Sequence, residues 1–314
     1  MSNLSKIGVV GAGNVGAAIV NALVLKNIGK EIILFNRDIN KAIGQAIDID
    51  DTIPLLSEMK IDATNNYQDL KECKVIAITV GARQEKDESR LELLQRNASI
   101  IKSVMKELDK TAPNAIIIIV SNPVDILTRV AQENSKRKAS MIFGSGTLLD
   151  TSRLRYQVGK ELNVNRKNIH VHVIGEHGDG EFPVWSNAII GSIKLDNFIS
   201  NKHDLKNMED RISKIVRDRA YEIIKRKGYT DFGVAVAVAK LIQCVLRDEK
   251  KIFSVSVKID EYYNLNEDVV LSLPCVIGTK GIEQKLNLEL DHNEKEKLKE
   301  TTEKLNTVHE GMNS

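Results

Sequence analysis

The sequence is poor in cysteine and lacks any run that resembles a leader or a membrane span. Its three cysteines, Cys73, Cys244 and Cys275, are odd in number and widely spaced. This pattern argues against a disulfide framework and favours a reducing compartment. No apolar run approaches the roughly 20 residues of a membrane-spanning helix, and the first residues contain no signal-like apolar core. We therefore expect a cytoplasmic protein without a membrane partner.

An excess of charge of one sign is also missing. The 45 Lys and Arg residues nearly balance the 43 Asp and Glu residues, which leaves a net charge of +2. Such a balance does not favour nucleic acid as a partner. The chain has no internal repeat, and its 314 residues are 42% apolar, so it can bury a sizeable core in one large or two ordinary domains.

The first motif is a short apolar run at 7–10, followed by GAGNVG at 11–16 and a helical stretch to 26. Of the three glycines, the first permits a tight turn, the second admits a pyrophosphate to the backbone, and the third lets the helix pack on the strand. The pattern predicts a dinucleotide-binding turn. Its candidate cofactor contacts are Gly11, Gly13, Asn14, Val15 and Gly16.

The next apolar run, 31–35, ends at Asn36, twenty residues after Gly16. A dinucleotide fold usually places an acid there to contact the adenosine ribose. Asn36 can bind a ribose hydroxyl but does not repel a 2′-phosphate, and Arg37 can pair with one. Both are candidate cofactor contacts, and they weaken the argument for NAD over NADP without reversing it. Asp38 is the expected N-cap of a helix that runs to about Leu56.

Two further apolar runs, 74–80 and 114–120, alternate with helical segments, which predicts a parallel sheet covered on both faces. Ligands bind at the carboxyl ends of such strands. Gly81, Ala82 and Asn122 fall at those ends and are candidate cofactor contacts. The charged segment near 82–90 has the composition of a mobile lid, and Arg90 begins the helix that follows it.

The sequence changes character near residue 145. We expect an α/β protein with an N-terminal Rossmann domain, a doubly wound parallel sheet, at 1–145, and an α+β catalytic domain at 146–314. Helical patterns are found at 150–162, 205–226 and 234–246, and Asp291 with Glu294 resembles a capping box that starts the last helix. The runs 252–259, 269–273 and 286–290 are expected to form antiparallel strands.

The segment 174–181, IGEHGDGE, surrounds one histidine with glycines and three carboxylates. The unperturbed pKa of histidine is close to neutrality, so its surroundings can make it a general acid or base. On this segment alone, a polar surface loop is an equally good interpretation.

Several motifs together resemble the L-lactate dehydrogenase family, within the lactate and malate dehydrogenase superfamily, over essentially the whole chain. The motifs are VGAGNVG at 10–16, GARQEKDESR at 81–90, SNPVDILT at 121–128, GSGTLLDTSRLR at 144–155, GEHGD at 175–179, PVWS at 183–186 and KGYT at 227–230. The resemblance implies an NAD-dependent oxidoreductase of glycolysis and fermentation.

The resemblance also implies a chemical role for the histidine. His177 would give a proton to the ketone oxygen of a 2-oxo acid as NADH delivers hydride, and would take it back in the reverse reaction. Asp150 would orient His177 and stabilise its charged form, since an adjacent carboxylate favours imidazolium. Without the family, Asp150 could equally cap its own helix.

Four further residues match substrate contacts of the family. Arg153 would anchor the substrate carboxylate in two parallel hydrogen bonds, and Arg90 would stabilise charge on the carbonyl oxygen when the lid closes. Asn122 would hold the nicotinamide side and the substrate oxygen, while Thr230 would border the pocket. Taken alone, the two arginines could be surface charges, and Asn122 and Thr230 could be strand-end and turn residues.

Gln84 determines the expected substrate. Malate enzymes of this superfamily carry arginine at that position to pair with a second carboxylate, so glutamine favours pyruvate and L-lactate. The lid residues 85–87 and Gly180, where the family more often has serine, depart from the common pattern. The alternatives are another L-2-hydroxy acid dehydrogenase, for a branched 2-oxo acid or malate, and a non-catalytic dinucleotide-binding protein.

The resemblance finally implies an assembly and a regulator. The chain is expected to form a homotetramer. Arg155 and His170 fall where bacterial enzymes activated by fructose 1,6-bisphosphate carry their phosphate ligands, although an exposed arginine and a strand histidine are also common without such a role. No metal is expected.

Overall fold

A computed structural model of the chain describes residues 5–56, 58–82, 88–259, 263, 265 and 268–313. None of its helices is long and apolar enough to cross a membrane within these ranges. The helices are α1 (Asn14–Leu25), α2 (Ile39–Asp50), α3 (Ile53–Leu56), α4 (Arg90–Thr111), α5 (Val124–Glu133), α6 (Leu148–Leu162), α7 (Leu195–Phe198), α8 (Lys202–Lys227), α9 (Phe232–Arg247) and α10 (His292–Asn313). Single 3-10 turns lie at Tyr67–Leu70, Ala139–Met141, Arg166–Asn168 and Trp185–Asn187.

Strands alternate with helices in the first half of the chain and pair antiparallel in the second. The strands are β1 (Lys6–Val10), β2 (Glu31–Phe35), β3 (Lys60–Thr64), β4 (Val75–Ile78), β5 (Ile116–Ile119), β6 (Ile142–Gly144), β7 (Ile169–His170), β8 (Val173–Gly175), β9 (Glu181–Pro183), β10 (Ile189–Ile190), β11 (Ile193–Lys194), β12 (Lys251–Lys258), β13 (Val270–Gly278) and β14 (Gly281–Lys285).

The first six strands form a parallel array in the order β3-β2-β1-β4-β5-β6. This is the strand order of a doubly wound dinucleotide-binding fold, and its direction of winding changes between β1 and β4. The strands are short apolar runs, and β4 and β5 are buried along their whole length. The expected α/β class with a parallel N-terminal sheet is confirmed.

The antiparallel strands continue the same sheet. Among the described residues, eleven strands belong to it, because β12 pairs with β6 through Ser256 and Gly144 and is followed by β13, β8 and β9, with β14 on β13. A separate three-stranded sheet contains β11, β10 and β7. Two of the three expected antiparallel strands, those at 252–259 and 269–273, are therefore present as β12 and β13.

Two apolar clusters stabilise these layers. The larger one follows the long sheet through both halves of the chain. The smaller one packs α6 and α8 against the three-stranded sheet through residues such as Leu154, Ile190 and Ile212. Burial of apolar side chains is the main favourable contribution to folding, so the helix that carries Asp150 is fixed by packing on both sides.

Two sequence-based expectations about elements are wrong. The helix from Asp38 does not reach Leu56 unbroken, because α2 ends at Asp50 and Pro54 has no amide proton to continue the helical hydrogen bonds. The segment 286–290 is not a strand. The strand β14 lies just before it and ends at Lys285. The amide of Leu286 makes a last hydrogen bond to the carbonyl of Pro274 on β13, but the amide of Leu288 donates to the hydroxyl of Tyr263, so the pairing does not continue.

Several predicted helix ends are confirmed. Asp38 caps α2 by accepting hydrogen bonds from two backbone amides. The break after α8 lies at Gly228, whose φ of +89° belongs to the left-handed region that favours glycine. Asp291 and Glu294 form the reciprocal capping box at the start of α10, with hydrogen bonds of 3.0 and 2.8 Å.

Candidate active site

A first cavity, here called the glycine-turn cavity, opens at the point where the winding of the sheet changes. Its volume is about 470 Å³. It lies at the carboxyl ends of β1, β2 and β4, the position where doubly wound folds bind ligands. It is lined by Gly11, Gly13, Phe35, Asn36, Arg37, Lys41, Tyr67, Thr79, Val80, Gly81, Ala82, Arg96, Ser99, Ile100, Ser103 and Val104.

The glycines of the turn have different physical constraints. Gly11 has a φ of +116°, which disfavours any side chain. A Cβ on Gly16 would lie 1.8 Å from the carbonyl oxygen of Gly11, so only glycine lets α1 pack this closely on the turn. Gly13 faces open space, because a Cβ at this position would have no atom within 4 Å. Asn14 and Val15 begin α1 directly behind it.

Four of the remaining predicted cofactor residues line the cavity around the turn. Asn36 is half-buried and its side-chain oxygen accepts a hydrogen bond from the amide of Ala12 at 3.3 Å, while Arg37 is exposed. Gly81 and Ala82 line the opposite wall, where the amide of Ala82 donates to Asn97 at 2.7 Å. Of the ten predicted cofactor contacts, this cavity is lined by Gly11, Gly13, Asn36, Arg37, Gly81 and Ala82.

These residues fit a dinucleotide. The space in front of Gly13 leaves the backbone open to a pyrophosphate, and the first turn of α1 contains no acidic residue that would oppose one. Thr79 donates to the carbonyl oxygens of Val10 and Gly11 and so holds the turn against β4.

A second cavity, here called the His177 cavity, lies between α4, α6 and α8. Its volume is about 800 Å³. Arg90, Asn122, Asp150, Arg153 and His177 all contribute to its lining, so the fold brings together residues that are up to 87 positions apart in the chain. Arg90 is exposed and starts α4 behind a capping box formed by Ser89 and Glu92.

Asp150 connects the histidine to an arginine. Its Oδ2 lies 2.9 Å from Nδ1 of His177, and its Oδ1 accepts a hydrogen bond from Nη1 of Arg153 at 2.7 Å. The Asp150 side chain is only 2% exposed, whereas the imidazole is 27% exposed toward the cavity. This geometry leaves Nε2 of His177 as the ring nitrogen that is not engaged by Asp150. Because both carboxylate oxygens of Asp150 contact these two side chains, Asp150 is more than a cap of α6.

Glu181 supplies a second carboxylate to the histidine, which the sequence pattern did not assign. Its Oε2 lies 3.7 Å from Nδ1 of His177, and its side chain is 5% exposed. Position 181 begins β9, which pairs antiparallel with β8 and thereby turns back over the histidine loop. The four-residue spacing from His177 was visible in the sequence, but only the β8–β9 hairpin brings the two side chains together.

The charges of this cluster favour a protonated histidine. Burial opposes the charge on His177, yet Asp150 and Glu181 outweigh it and raise the pKa of His177 well above its ordinary value. Burial likewise opposes ionisation of Asp150, but His177 and Arg153 hold its pKa below the usual range. Burial raises the pKa of Glu181 to about 7, because its contact with His177 is longer and Asp150 repels its charge. The imidazolium therefore persists near neutral pH.

Asp125 holds the backbone of the histidine loop. Its Oδ2 accepts a hydrogen bond from the amide of His177 at 2.7 Å, and its side chain is buried on α5. Burial raises the pKa of Asp125, and the His177 amide partly offsets this by favouring the carboxylate. At the other end of the loop, Thr301 on α10 donates to the carbonyl oxygen of Gly180 at 3.0 Å. Two elements distant in sequence thus fix the loop.

Other predicted residues lie outside the His177 cavity. Thr230 is half-buried in the turn after α8 and is not part of the lining. Arg155 donates to the carbonyl of Val171 and lines a third cavity of about 590 Å³ beside His172, while His170 is exposed on β7. Gln84 and the rest of 83–87 lie outside the described residues.

The cluster also has the composition of a metal site. Asp150, His177 and Glu181 each offer one ligand atom, and these atoms lie within 4.8 Å of one another. However, the Arg153 guanidinium at 2.7 Å from Asp150 places a fixed positive charge against the same carboxylate. An ion there would meet that repulsion, so the geometry favours a proton on His177 over a cation.

Comparison with known proteins agrees with this architecture. Family models match the lactate/malate dehydrogenase NAD binding domain at 5–144 and the alpha/beta C-terminal domain of the same enzymes at 147–313. The L-lactate dehydrogenase of Salinibacter ruber is 39% identical over 302 residues, which cover 95% of each chain. An L-lactate dehydrogenase of Clostridium botulinum is 38% identical over 306 residues, 96% of this chain and 95% of the relative.

Solved structures show the same relationship. A lactate dehydrogenase from a Medee basin deep-sea metagenome library superposes with a TM-score of 0.94 at 35% identity, covering 99% of each chain. The minor L-lactate dehydrogenase of Enterococcus mundtii gives a TM-score of 0.93 at 28% identity, covering 98% of each chain. The nicotinamide-dinucleotide-binding domain, the paired histidine and the length of the match lead to one conclusion: the chain belongs to the lactate/malate dehydrogenase family.

Proposed function

We propose that this protein is an NAD-dependent L-lactate dehydrogenase that reduces pyruvate to L-lactate and catalyses the reverse reaction. The observation that carries the proposal is the hydrogen bond between His177 and Asp150 at the wall of the His177 cavity. A histidine kept protonated by a buried carboxylate can donate a proton to a ketone oxygen at neutral pH. The names of the relatives reported above support the same activity.

The proposed reaction adds one hydride to C2 of pyruvate and one proton to its carbonyl oxygen. A bound NADH supplies the hydride. His177 supplies the proton and returns to imidazolium by taking one from solvent, while Asp150 holds the ring in one orientation. Protonation of the oxygen removes the negative charge that hydride addition creates, so the step is balanced.

The arginines orient the substrate. Arg153 lines the His177 cavity one turn of α6 away from Asp150 and binds the pyruvate carboxylate through its guanidinium fork. Arg90, at the N-terminus of α4, stabilises developing charge on the carbonyl oxygen. Asn122 contacts the substrate oxygen and the nicotinamide side, Gln84 accommodates the methyl group, and Thr230 borders the pocket.

The glycine-turn cavity would hold the cofactor. Gly11, Gly13 and Gly16 with Asn14 and Val15 would hold its pyrophosphate, and Asn36 would contact the adenosine ribose, with Arg37 exposed beside it. Gly81, Ala82 and Asn122 border the path to the His177 cavity. We propose the division into a dinucleotide-binding domain at 1–145 and a catalytic domain at 146–314, which the ranges of the two family models support.

One assay tests the activity. Oxidation of NADH by the purified protein is measured with pyruvate, oxaloacetate and 2-oxoisocaproate at equal concentrations. We expect the highest kcat/KM with pyruvate. A higher value with oxaloacetate or 2-oxoisocaproate would assign the protein to malate or to branched 2-hydroxy acids. NADH binding without any turnover would make it a non-catalytic dinucleotide-binding protein.

The substrate preference has its own test in Gln84→Arg. The new guanidinium would pair with the second carboxylate of oxaloacetate, so kcat/KM should move toward oxaloacetate by tenfold or more, as expected for about 1.5–3 kcal/mol from a charge-assisted hydrogen bond. Unchanged discrimination in steady-state assays would contradict the role of Gln84.

We also propose a cytoplasmic homotetramer. The support is an apolar surface on α1, α2, α3 and α9, where large side chains are 47–84% exposed, namely Leu25, Ile47, Leu55, Phe232 and Val236. These helices are neighbours in the fold, since α1 contacts α2, α3 and α9, and exposed apolar patches mark interaction surfaces. Light scattering should give a mass about four times the 35.0 kDa of one chain, and a monomer mass at micromolar concentration would contradict this.

Regulation by fructose 1,6-bisphosphate is a further part of the proposal. Arg155 and His170 both lie close enough to His172 to lower its pKa, to which burial contributes most and which reaches about 4. Arg155 lines the third cavity together with Lys26, Arg166, Lys167 and Lys240, and these cations are suited to a phosphate. The bisphosphate should lower the KM for pyruvate at sub-saturating substrate, and Arg155→Ala should abolish that effect. Identical kinetics with and without the bisphosphate would contradict this regulatory role.

A further inference from the structure

The adenosine end of the glycine-turn cavity contains an amide where a carboxylate is usual. Asn36 follows β2 directly, and both ends of its side chain are held by the backbone. Its Oδ1 accepts from the amide of Ala12 at 3.3 Å, and its Nδ2 donates to the carbonyl of Asp38 at 2.9 Å. The side chain therefore connects the glycine turn to the start of α2 without bringing a charge to the ribose position.

The lining of this cavity is cationic. Arg37, Lys41 and Arg96 contribute to it, and none of the described residues that line it is Asp or Glu. Arg96 is already paired with Glu88 at 2.8 Å. Arg37 and Lys41 are exposed, and neither side chain makes an ion pair or hydrogen bond with another described residue. Two cations beside Asn36 are thus available to a ligand.

The nearest acid, Asp38, is engaged elsewhere. Its Oδ1 accepts hydrogen bonds from the amides of Asn40 and Lys41 at 3.1 and 3.4 Å, which caps α2. Because the first-turn amides are already satisfied by this cap, a phosphate near Asn36 would be bound by the side chains of Arg37 and Lys41. An acid at position 36 normally selects NAD by binding the 2′-hydroxyl and repelling a 2′-phosphate, whereas a nearby arginine accommodates that phosphate.

We propose that this cavity binds the 2′-phosphate of NADP(H) through Arg37 and Lys41, so that the protein accepts NADPH as well as NADH. The inference rests on the proposed function only in taking a nicotinamide dinucleotide as the cofactor. A guanidinium forms two parallel hydrogen bonds with a phosphate, and a lysine adds a point charge. The reaction at the nicotinamide end is the same with either cofactor.

Binding of two small nucleotides tests the inference without turnover. Titration calorimetry compares 2′,5′-ADP with 5′-AMP, which differ only by the 2′-phosphate. We expect the full-length protein to bind 2′,5′-ADP more tightly than 5′-AMP, and this preference to weaken at high salt because charge pairs at exposed sites are screened. Fluorescence titration with NADPH and NADH should give dissociation constants within about tenfold of each other.

Single substitutions test which side chains bind the 2′-phosphate. Arg37→Ala and Asn36→Asp should each weaken binding of 2′,5′-ADP tenfold or more, the first by loss of a charge-assisted contact and the second by repulsion of the 2′-phosphate. Arg37→Ala should change the affinity for 5′-AMP by less than about twofold, and Asn36→Asp should keep or strengthen 5′-AMP binding, because a carboxylate accepts a hydrogen bond from the free 2′-hydroxyl. Lys71→Ala removes an exposed cation that does not line the cavity and serves as the matched control. It should leave both affinities unchanged.

Each other outcome overturns the inference. A wild-type protein that binds 5′-AMP as tightly as 2′,5′-ADP, or more tightly, would show that the 2′-phosphate is not bound. An equal loss of both ligands in Arg37→Ala would show a role in binding adenosine alone. If neither nucleotide binds, the glycine-turn cavity is not the adenosine site. Pyruvate reduction with NADH, measured on the same sample, reports the proposed activity separately.

Discussion

The two cavities of this protein are built in different ways. The glycine-turn cavity takes its floor from one continuous motif at 11–16, and its shape depends on backbone positions where side chains are excluded. The His177 cavity is instead formed by side chains from α4, α6, α8, α10 and the β8–β9 hairpin. The first depends on steric constraints that lie close together in the chain, whereas the second depends on charges that only tertiary packing brings within hydrogen-bonding distance.

Their electrostatic character differs as well. Cations line the glycine-turn cavity without an acid among its described residues, which suits a ligand with phosphate groups. In the His177 cavity, the buried carboxylates of Asp150 and Glu181 lie beside His177, and Arg153 pairs with Asp150. The negative charge of the carboxylates keeps the imidazole protonated. One cavity is suited to anion binding and the other to proton transfer. Substitutions in one cavity should therefore change one property and leave the other.

The largest effect is expected from His177→Gln. Loss of the proton donor should lower kcat for pyruvate reduction by about 10²–10⁴-fold, the usual contribution of a general acid. NADH affinity, measured by fluorescence titration, should stay within about twofold, because the glycine-turn cavity is unchanged. His203→Gln, at an exposed position of α8, is the matched control. Activity retained in His177→Gln would contradict the assignment of the proton donor.

Gly16→Ala should affect the other cavity. A Cβ 1.8 Å from the carbonyl oxygen of Gly11 forces the turn and α1 apart. Overpacking of this kind costs about 1–3 kcal/mol, and the displaced turn should weaken NADH binding by about tenfold. Gly44→Ala is the control, because its Cβ would meet no atom within 4 Å and a helical alanine should slightly stabilise α2. Wild-type Tm and affinity in Gly16→Ala would show that the turn tolerates a side chain.

Glu181→Gln should change the pH dependence of activity. Removal of one of the two carboxylates that raise the pKa of His177 lowers that pKa, so the imidazolium is lost at a lower pH. The decline of kcat/KM for pyruvate on the alkaline side should shift to lower pH, with a two- to tenfold loss there and little change at about pH 6. A profile that coincides with wild type, or shifts to higher pH, would show that Asp150 alone controls His177.

The smallest effect should appear in stability. Since folding raises the pKa of Glu181 from 4.5 to about 7, its contribution to folding is fully present below pH 4.5 and is lost as the pH rises through 7. The Tm of the wild type should therefore fall more steeply between about pH 5 and 7 than that of Glu181→Gln. Glu303→Gln, at an exposed position on α10, should keep the wild-type slope. Equal slopes of Tm against pH in all three proteins would show that the titration of Glu181 does not contribute to this pH dependence.

The sequence predicted most of what depends on neighbouring residues. The glycine turn, the caps at Asp38 and Asp291, and the break at Gly228 are local, because steric limits and hydrogen bonds within a few residues decide them. The parallel sheet also followed from apolar strands that alternate with helices. The helix expected to reach Leu56 was wrong because Pro54 interrupts it. The strand expected at 286–290 was wrong because β14 ends at Lys285 and the amide of Leu288 bonds to the hydroxyl of Tyr263.

The active-site assignments needed more than periodicity. No spacing rule pairs Asp150 with His177, 27 residues apart, and the family resemblance supplied that pairing before the structure gave its distance of 2.9 Å. Nothing in the sequence assigned Asp125 to the amide of His177 or Glu181 to its ring. These contacts arise because α5, α6 and the β8–β9 hairpin pack around one loop.

The sequence by itself determined the class of fold, the dinucleotide turn and the neutral, arginine-flanked position at Asn36, since each depends on residue types at short range. Only the tertiary structure decided that Asp150, Glu181 and Arg153 surround one histidine and that Asp125 and Thr301 hold its loop. The physical reason is that a pKa depends on charges and burial in space, and those distances are fixed by packing between elements far apart in the chain.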